Sequence, residues 1–235
     1  MRSPTAAKDT PQRILDIAAR LVQTRGFNGF SYADIAAELQ VTKASLHYHF
    51  PSKAELGRRL IERYESTFVD ALAAIDGQAA DEFDKLRRYA GIYADALGDQ
   101  RMCLCGMLAA EHGTLPEPMQ QVLRHYFDVN ERWLASVLER GRTAGTLRYE
   151  GAAREIAAML LGALEGAMML ARSYADPLRF SLAADRLLAD LRVPGPARAA
   201  RPRSATPARA AARRAAPLGV SKAPSKAMSK AARQR

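Results

Sequence analysis

The 235-residue chain is poor in cysteine and has no long apolar segment. Its two cysteines, Cys103 and Cys105, are too few for the disulfide framework of a small secreted protein. No uninterrupted apolar run approaches the ~18–20 residues that span a bilayer. The first thirteen residues, MRSPTAAKDTPQR, contain no apolar leader core. We therefore expect a cytoplasmic protein that has no membrane partner.

Acidic residues are absent from one part of the chain, the segment 194–235, which carries eleven Lys and Arg. The net charge of +10 belongs to this tail, because residues 1–193 carry 24 basic and 25 acidic residues. Residues 1–59 have a net charge of +4, which suits a polyanion, and residues 60–193 have −5. The tail also lacks aromatic residues, so we predict that it is disordered and binds phosphate backbones without sequence choice.

Apolar positions recur with helical spacing as far as residue 193, and no stretch alternates convincingly with the period of two that is typical of strands. Pro, Gly and capping residues divide this part into about nine helices, so the predicted fold is all-α. Residues 1–10 are polar and predicted to be disordered, with Asp9 or Thr10 as the first cap. The predicted helices are 11–25, 31–39, 42–50, 53–77, 80–98, 102–113, 117–144, 150–174 and 176–191.

The stretch SYADIAAELQVTKASLHYHF, residues 31–50, reads as two short helices joined by a tight turn. With Leu46 and Phe50 turned to the core, the second helix presents short or hydrogen-bonding side chains outward, as a helix that reads the DNA major groove must do. Direct base contacts are predicted from Lys43, Ala44, Ser45 and His47. Phosphate contacts are predicted from Ser31, Tyr32, Thr42, Tyr48, His49 and Lys53.

Residues 8–68 resemble the DNA-binding domain of the TetR family of bacterial transcriptional regulators. The resemblance is carried above all by VTKASLHYHFPSKAEL, residues 41–56. Two positions depart from the family pattern: Ala44 stands where Gly is frequent, and His47 stands where an aromatic residue, usually Tyr, is found. The resemblance implies a sequence-specific regulator with a three-helix helix-turn-helix DNA-binding domain at 8–68. An α-helical effector-binding and dimerisation domain at 69–193 and the tail would follow.

The same resemblance implies a homodimer on a palindromic double-stranded DNA operator, formed through the last two helices. It also implies an unidentified small-molecule effector that enters the body and releases the DNA, most often from a repressor. The predicted dimer interface comprises Leu160, Leu161, Leu164, Ala167, Met168, Ala171, Leu187 and Leu188. The predicted effector pocket comprises Met102, Cys103, Met107, Leu108, Phe127, Trp133, Met159, Met168 and Met169. Ordinary core packing is the alternative role for each pocket residue.

The segment RMCLCGMLAAEH, residues 101–112, leaves two hypotheses open. On a helix, Cys103 and Cys105 lie about 200° apart, so they cannot face one partner, and two thiols make a poor zinc site. They are either two small buried side chains or a sensor of oxidants and electrophiles. In the second case, Arg101 and the helix N-terminus would lower the thiol pKa.

No catalytic constellation accompanies the two conceivable acid–base pairs, His112 with Glu111 and His125 with Asp128. Neither a cofactor nor a metal ion is expected, and we do not expect an enzyme. Two other functions remain as alternatives: an architectural protein that coats the nucleoid through its tail, and a helical small-molecule-binding enzyme. The operator, the effector, the regulated genes and the sign of regulation stay open.

Overall fold

The structure is a computed structural model and describes residues 10–193. The predicted disorder of the first residues, the predicted cap at Asp9 and the whole tail 194–235 lie outside the described residues. Within 10–193 the chain forms nine α-helices, and its extended backbone pairs at one isolated bridge, between Leu147 and Arg192. The prediction of an all-α fold is therefore confirmed.

The helices are α1 (Thr10–Arg25), α2 (Tyr32–Leu39), α3 (Lys43–His49), α4 (Lys53–Gln78), α5 (Glu82–Gly98), α6 (Leu104–Ala110), α7 (Glu117–Thr143), α8 (Ala153–Ser173) and α9 (Leu178–Ala189). A 3-10 turn at His112–Thr114 lies between α6 and α7.

The first three helices pack around aliphatic side chains that the helical spacing places on one face of each helix. Ile14, Ala18 and Val22 of α1, Ile35 of α2 and Leu46 of α3 are all fully buried. Burial of such side chains contributes ~1.5–3 kcal/mol for each large one, which is what holds short helices together. We call these three helices, residues 10–50, the head.

The α1 helix ends at the residue that the sequence predicts. Gly26 has a φ of +82°, in the left-handed region that favours glycine, and its N–H donates to the Val22 carbonyl over 2.9 Å. Phe27 and Phe30, which follow, are 5% exposed and pack edge to face with 6.0 Å between ring centroids. The short connection to α2 is thereby fixed against the head core.

The body consists of α5 to α9 and the outer half of α4. The α8 helix packs between α7 and α9, while α4 runs without a break across the predicted domain boundary at residue 68. One continuous hydrophobic core includes Leu46 in the head, Leu56 in α4 and Leu138 in the body. A movement in the body can therefore reach the head through packed side chains.

One predicted helix is wrong in its extent. The range 102–113 contains a seven-residue helix, α6, that begins after Cys103 and ends at Ala110, followed by the 3-10 turn. Cys103 caps α6, its Sγ accepting from the N–H of Gly106 over 3.4 Å. The other predicted ends differ by a few residues at most, which is the ordinary uncertainty of helix termini.

Among the described residues, one helix, α8, is long and apolar enough to cross a membrane on length and composition. One third of its most apolar window is buried in the fold. The helix also packs against both of its neighbours, as a core helix does. Its remaining apolar side chains form the exposed surface described below.

Candidate DNA-reading surface and body sites

The α2 helix begins with two reciprocal hydrogen bonds. The Ser31 hydroxyl accepts from the Ala33 N–H over 3.2 Å, and the Asp34 carboxylate accepts from the Ser31 N–H over 2.8 Å. These bonds to Ser31 hold the pKa of Asp34 below its usual range. Because the Ser31 hydroxyl also donates to Asp34, the predicted phosphate donor is engaged in capping the helix.

The turn between α2 and α3 places the second helix at the surface. Gln40 ends α2 with φ 56° and ψ 42°, in the left-handed region, and the Val41 N–H donates to the Ala36 carbonyl. Thr42 then caps α3 by accepting from the Ser45 N–H over 3.3 Å. A capping hydroxyl that accepts still has its own hydrogen free to donate, so Thr42 can bind a phosphate oxygen.

The outward face of α3 carries most of the predicted DNA contacts. Exposed side chains on and beside this helix are Thr42, Lys43, Ala44, His47 and Tyr48, and the Tyr48 side chain is 83% exposed. Ser45 and His49 are half-buried at its edges, and Leu46 is fully buried. The helix therefore rests on its apolar side and presents short and polar groups to solvent. We call Thr42, Lys43, Ala44, Ser45, His47, Tyr48 and His49 the reading surface.

His47 is held in one orientation by its neighbours. Its Nδ1 lies 3.2 Å from the Pro51 carbonyl oxygen, and its ring lies 4.7 Å from the ring of Tyr32. Because a carbonyl only accepts, Nδ1 must carry the hydrogen. Nε2 therefore points away as an acceptor on the neutral ring, and as a donor once the ring is protonated. The departure from the family pattern thus keeps a hydrogen-bonding group at this position.

The structure gives another role to two residues that were predicted to contact phosphate, Tyr32 and Lys53. Tyr32 is 8% exposed, and its hydroxyl donates to the Phe50 carbonyl over 2.8 Å, so it supports α3 from below. Burial raises the pKa of Tyr32 to about 12. Lys53 points away from the reading surface: its Nζ donates to the carbonyls of Phe27 and Phe30 and lies over both rings. It therefore fastens the head internally instead of offering a free charge to DNA.

A set of polar contacts fastens the end of α1 to the body. The Glu111 carboxylate accepts from the Phe27 N–H over 2.6 Å, and Arg172 at the end of α8 donates to the Gln23 carbonyl over 2.9 Å. Gln23 in turn exchanges hydrogen bonds with the backbone of Met102. We call these contacts the clamp. The sequence did not predict it, because the clamp joins residues that are far apart along the chain.

The predicted dimer residues are mostly internal to the subunit. Leu160, Leu161, Leu164, Met168, Ala171 and Leu188 are at most 4% exposed, and Ala167 and Leu187 are half-buried. They face α7 and the core because the apolar pattern of α8 covers more than one face. The exposed apolar side chains are instead Met159, Met169, Leu170, Tyr174, Leu178 and Leu182, each 49–62% exposed.

These exposed side chains border an open groove between α8 and α9. The groove has a volume of about 740 Å³ and is lined by Ala163, Gly166, Ala167, Leu170, Asp176, Arg179, Leu182 and Ala183. Small residues form its floor, so another helix can approach closely. We call Met159, Met169, Leu170, Tyr174, Leu178, Leu182 and the groove the open face. Exposed apolar surface gathered in one place marks a candidate interaction site.

The predicted pocket residues separate into two groups. Met102, Cys103, Leu108 and Met168 are buried in the body, with Met107, Phe127 and Trp133 half-buried beside them. Met159 and Met169 belong to the open face instead, because they lie on the outward side of α8. The Trp133 ring stacks on Tyr89 and its N–H donates to Asp76. Seven of the nine residues therefore remain candidates for the interior site.

The two cysteines are free, buried thiols. Burial raises the pKa of Cys103 well above its ordinary value, and the Glu165 carboxylate raises it further. Burial also raises the pKa of Cys105. Burial therefore acts against the lowered thiol pKa on which the sensor hypothesis depends and favours two small buried side chains.

Neither conceivable acid–base pair is present as such. Glu111 is engaged in the clamp, and His125 lies 3.5 Å from Glu65 instead of pairing with Asp128. Within residues 10–193, no group of three or more His, Cys, Asp and Glu could hold a metal ion.

Family models match both parts of the chain. The model described as "Bacterial regulatory proteins, tetR family" matches residues 14–60, and "Tetracyclin repressor-like, C-terminal domain" matches 83–187. A solved TetR-family transcriptional regulator from Agrobacterium tumefaciens is 32% identical with a TM-score of 0.77. The alignment covers 80% of this chain and all of that one.

Curated relatives are regulators as well. The "Transcriptional regulator AcuR" of Cereibacter sphaeroides is 27% identical over 158 residues, which is 65% of this chain and 72% of the relative. The "HTH-type transcriptional repressor DhaR" of a Mycobacterium species is 22% identical, over 67% of this chain and 80% of the relative. The relatives and the fold are therefore those of transcriptional regulators.

Proposed function

We propose, from the premise that the chain belongs to the TetR family of DNA-binding transcriptional regulators, that it is a ligand-released repressor. It binds a palindromic operator as a homodimer, and a small-molecule effector in the body lowers its affinity for that operator. The relative named DhaR is a repressor, which supports this sign of regulation.

The observation that carries the proposal is the reading surface. A capped helix with exposed Lys43, Ala44 and His47 rests on a buried Leu46, supported from below by Tyr32. Ala44 permits close approach to a base edge or a thymine methyl, and Lys43 suits guanine acceptors or a phosphate. Thr42, Tyr48 and His49 are placed for backbone phosphates. Lys53 and Tyr32 act indirectly, by holding the helix in place.

The open face supports the homodimer. The α8 and α9 helices of two copies would pack as four helices, with Leu170 and Leu182 at the centre of the buried surface. Such a dimer displays two reading surfaces related by a two-fold axis. It therefore reads an inverted repeat whose half-sites lie about one helical turn, ~34 Å, or a multiple of it apart.

The clamp supports release by an effector. It joins the end of α1 to α6 and α8, the helices that flank the buried pocket residues. A ligand that separates these helices would tilt the head and favour dimers whose reading surfaces do not match the half-site spacing. This is a population shift, and its size is set by how differently the ligand binds the two forms.

Selection of DNA by the full-length protein tests the proposal. Random and genomic fragments that the protein retains at physiological salt are sequenced. Analytical ultracentrifugation then measures how many subunits bind the most strongly enriched fragment. We expect an enriched inverted repeat that carries two or a multiple of two subunits. Retention of bulk DNA without any enriched sequence would instead favour an architectural protein that acts through its basic tail.

A further inference from the structure

The body contains a buried carboxyl group that has no partner for one of its oxygens. Oε1 of Glu165, in α8, is inaccessible to solvent and accepts no hydrogen bond from any residue in 10–193. Its other oxygen, Oε2, lies against Gly106 in α6, where a Cβ would approach to 2.2 Å. A buried unpaired carboxyl group costs several kcal/mol, which a fold tolerates only where the group has a use.

Two tyrosine hydroxyls beside this carboxyl are also poorly satisfied. Tyr64 in α4 and Tyr126 in α7 have Cys103 Sγ as their sole hydrogen-bond neighbour within residues 10–193, at 3.9 Å and 4.0 Å. Sulfur is a weak hydrogen-bond partner. The hydroxyls of Tyr89 and Tyr93 contrast with these, because they bond to each other and Tyr89 also donates to Asn130. Unsatisfied or weakly satisfied polar groups therefore cluster around Cys103, at Glu165, Tyr64 and Tyr126, and the other such group among the described residues is the Tyr149 hydroxyl.

Aromatic rings enclose the same space. The rings of Tyr64 and Tyr126 lie 5.7 Å apart, and Phe68 lies 5.5 Å from Tyr126 and 6.0 Å from Tyr89. The negative faces of such rings attract an organic cation that has left water. A carboxylate combined with tyrosine rings and hydroxyls is therefore a site for an ammonium group.

Other ligand classes fit these groups less well. An anion would be brought against Glu165, and a wholly apolar ligand would leave Oε1 without a partner, as it is now. The described residues offer no cluster of three metal-ligating side chains. A protonated amine, by contrast, donates to Glu165 and to the oxygen lone pairs of Tyr64 and Tyr126.

We propose that Glu165, Tyr64 and Tyr126 form a binding site for a small organic monocation, an alkylammonium, whose charge is neutralised by Glu165. The proposal rests on the proposed function, since it names the chemical class of the effector. Glu165 is not among the pocket residues predicted from the sequence.

The inner part of the site is closed. Cys103, Tyr89 and Tyr126 are at most 2% exposed, whereas Tyr64 and Glu165 are half-buried, so a ligand enters past these two side chains by separating α4, α6 and α8. Glu165 and Arg172 lie seven residues apart on the same side of α8, and Met102 of the clamp adjoins Cys103. Opening the site therefore displaces the contacts that hold the head.

Binding of a cation is coupled to the loss of a proton from Glu165. Burial raises the pKa of Glu165 to about 7, against a smaller opposing effect of the Cys103 thiol. The groups that interact with its charge are Cys103 and Cys105 near α6, Tyr64 on α4 and Tyr89 and Tyr93 on α5, while Tyr126 on α7 interacts with Cys103 and Tyr64. Burial raises the pKa of every one of them, so none loses a proton near neutrality. Glu65, which faces Cys105, and Glu131, which faces Tyr89, are further acids of this region.

Isothermal titration calorimetry of the full-length protein tests the site with matched probes. The n-alkylamines from propyl to hexyl are compared with the n-alkanols of the same length at pH 6, 7 and 8. We expect amines to bind at least about tenfold more tightly than the matched alcohols, because only they neutralise Glu165. Their affinity should rise with pH, and titrations in buffers of different ionisation enthalpy should reveal release of a proton at pH 7.

The variants Glu165→Gln and Glu139→Gln complete the experiment. Gln keeps the shape at position 165, and thermal unfolding establishes that the variant is folded. It should lose the preference for amines and the proton release, while Glu139→Gln, an exposed site on α7, keeps both. Equal affinity for amines and alcohols, or an unchanged preference in Glu165→Gln, overturns the proposal.

A parallel mobility-shift titration separates this inference from the proposed function. If the protein binds an inverted repeat but no amine binds in the calorimeter, the cation site is refuted and the DNA-binding function stands. If amines bind through Glu165 but do not weaken binding to the selected DNA, the site stands and ligand release is refuted.

Discussion

At the scale of single residues, Glu165 is an acid whose carboxyl oxygen Oε1 is buried without a hydrogen-bond partner among the described residues. Folding moves its carboxyl group from water into contact with Cys103 and Gly106, and burial raises its pKa from 4.5 to about 7. The folded protein thus holds a proton that the unfolded chain releases. The contribution of this group to stability is fully present below pH 4.5 and is lost as the pH rises through 7.

The variant Glu165→Gln should not show the fall in stability that the ionisation of Glu165 causes as the pH rises through 7. We expect its stability to match that of the wild type near pH 4 and to exceed it by roughly 3 kcal/mol above pH 8, because the amide is never charged. Urea unfolding of both proteins from pH 4 to 8.5 measures the difference, in which contributions of other groups cancel. A constant difference across this range would show that folding leaves the pKa of Glu165 unchanged.

Residues in the head and residues in the body differ in how far the sequence specifies their roles. The caps at Ser31 and Thr42 and the left-handed Gly26 follow from local chemistry, which the sequence displays. The burial of Tyr32 and Glu165 depends on contacts with residues far along the chain. No local pattern distinguishes a buried acid from a solvated one on an amphipathic helix, so these two were misjudged or missed.

At the scale of helices, the clamp is the set of contacts that joins the end of α1 to α6 and α8. Arg172 donates to the carbonyls of Gln23 and Thr24, which the end of α1 leaves without helical partners. The α8 helix therefore carries the proposed cation site, the clamp and the open face along its length. A rigid helix with three such contacts can transmit a small displacement from one to the others.

Replacement of Arg172 by Met should loosen the head. We expect a loss of about 1–2 kcal/mol in the free energy of unfolding, and faster hydrogen exchange at the end of α1, because two carbonyls lose a charged donor. Urea unfolding and exchange mass spectrometry measure the two effects. Arg124→Met, at an exposed site on α7, serves as the control and should change neither. If Arg172→Met behaves like this control, the clamp contributes nothing to the coupling.

Charge on the open face should prevent dimerisation. Leu170 and Leu182 are 60% and 61% exposed on α8 and α9, so Leu170→Glu with Leu182→Glu leaves the subunit core intact. We expect the double variant to sediment as a folded monomer at concentrations where the wild type is dimeric, because two carboxylates would be buried unpaired. Arg132→Glu, exposed on α7, should stay dimeric. A dimeric double variant would move the interface elsewhere.

The number and order of the helices were predictable from the sequence. Which sides of α8 and α9 face the core was not. The α8 helix is apolar on more than one side, so periodicity alone does not decide which side meets the core. Leu160 and Leu164 face inward, whereas Leu170 and Met169 are exposed, although all four are large apolar side chains. The short α6 was overextended because its capping by Cys103 is unusual for a thiol.

At the scale of the whole molecule, the charge is divided between parts with different tasks. Residues 10–193 are close to neutral, so their binding to DNA must depend on the reading surface. The segment 194–235 carries eleven positive charges and no acidic residue, and we expect it to attract any phosphate backbone. It should therefore be possible to change the overall affinity for DNA without changing the sequence specificity.

Truncation before Pro194 should lower the overall affinity for DNA and leave the sequence specificity unchanged. We expect the shortened protein to bind all DNA more weakly, and its affinity to fall less steeply with salt, because fewer counterions are released. Its preference for the selected inverted repeat over bulk DNA should be unchanged. Fluorescence anisotropy from low to physiological salt measures both quantities, and an unchanged slope would mean that the tail does not contact DNA.

The most direct test of the account is the effect of a single carboxylate on the reading surface. Fluorescence anisotropy compares the full-length wild type with Ala44→Glu, and with Ala74→Glu on an exposed turn of α4 as control, on the selected DNA. We predict that Ala44→Glu weakens this binding at least about tenfold and leaves only the tail-driven affinity for bulk DNA. Ala74→Glu should bind as the wild type does. Wild-type binding by Ala44→Glu would contradict the assignment of α3 as the helix that reads DNA.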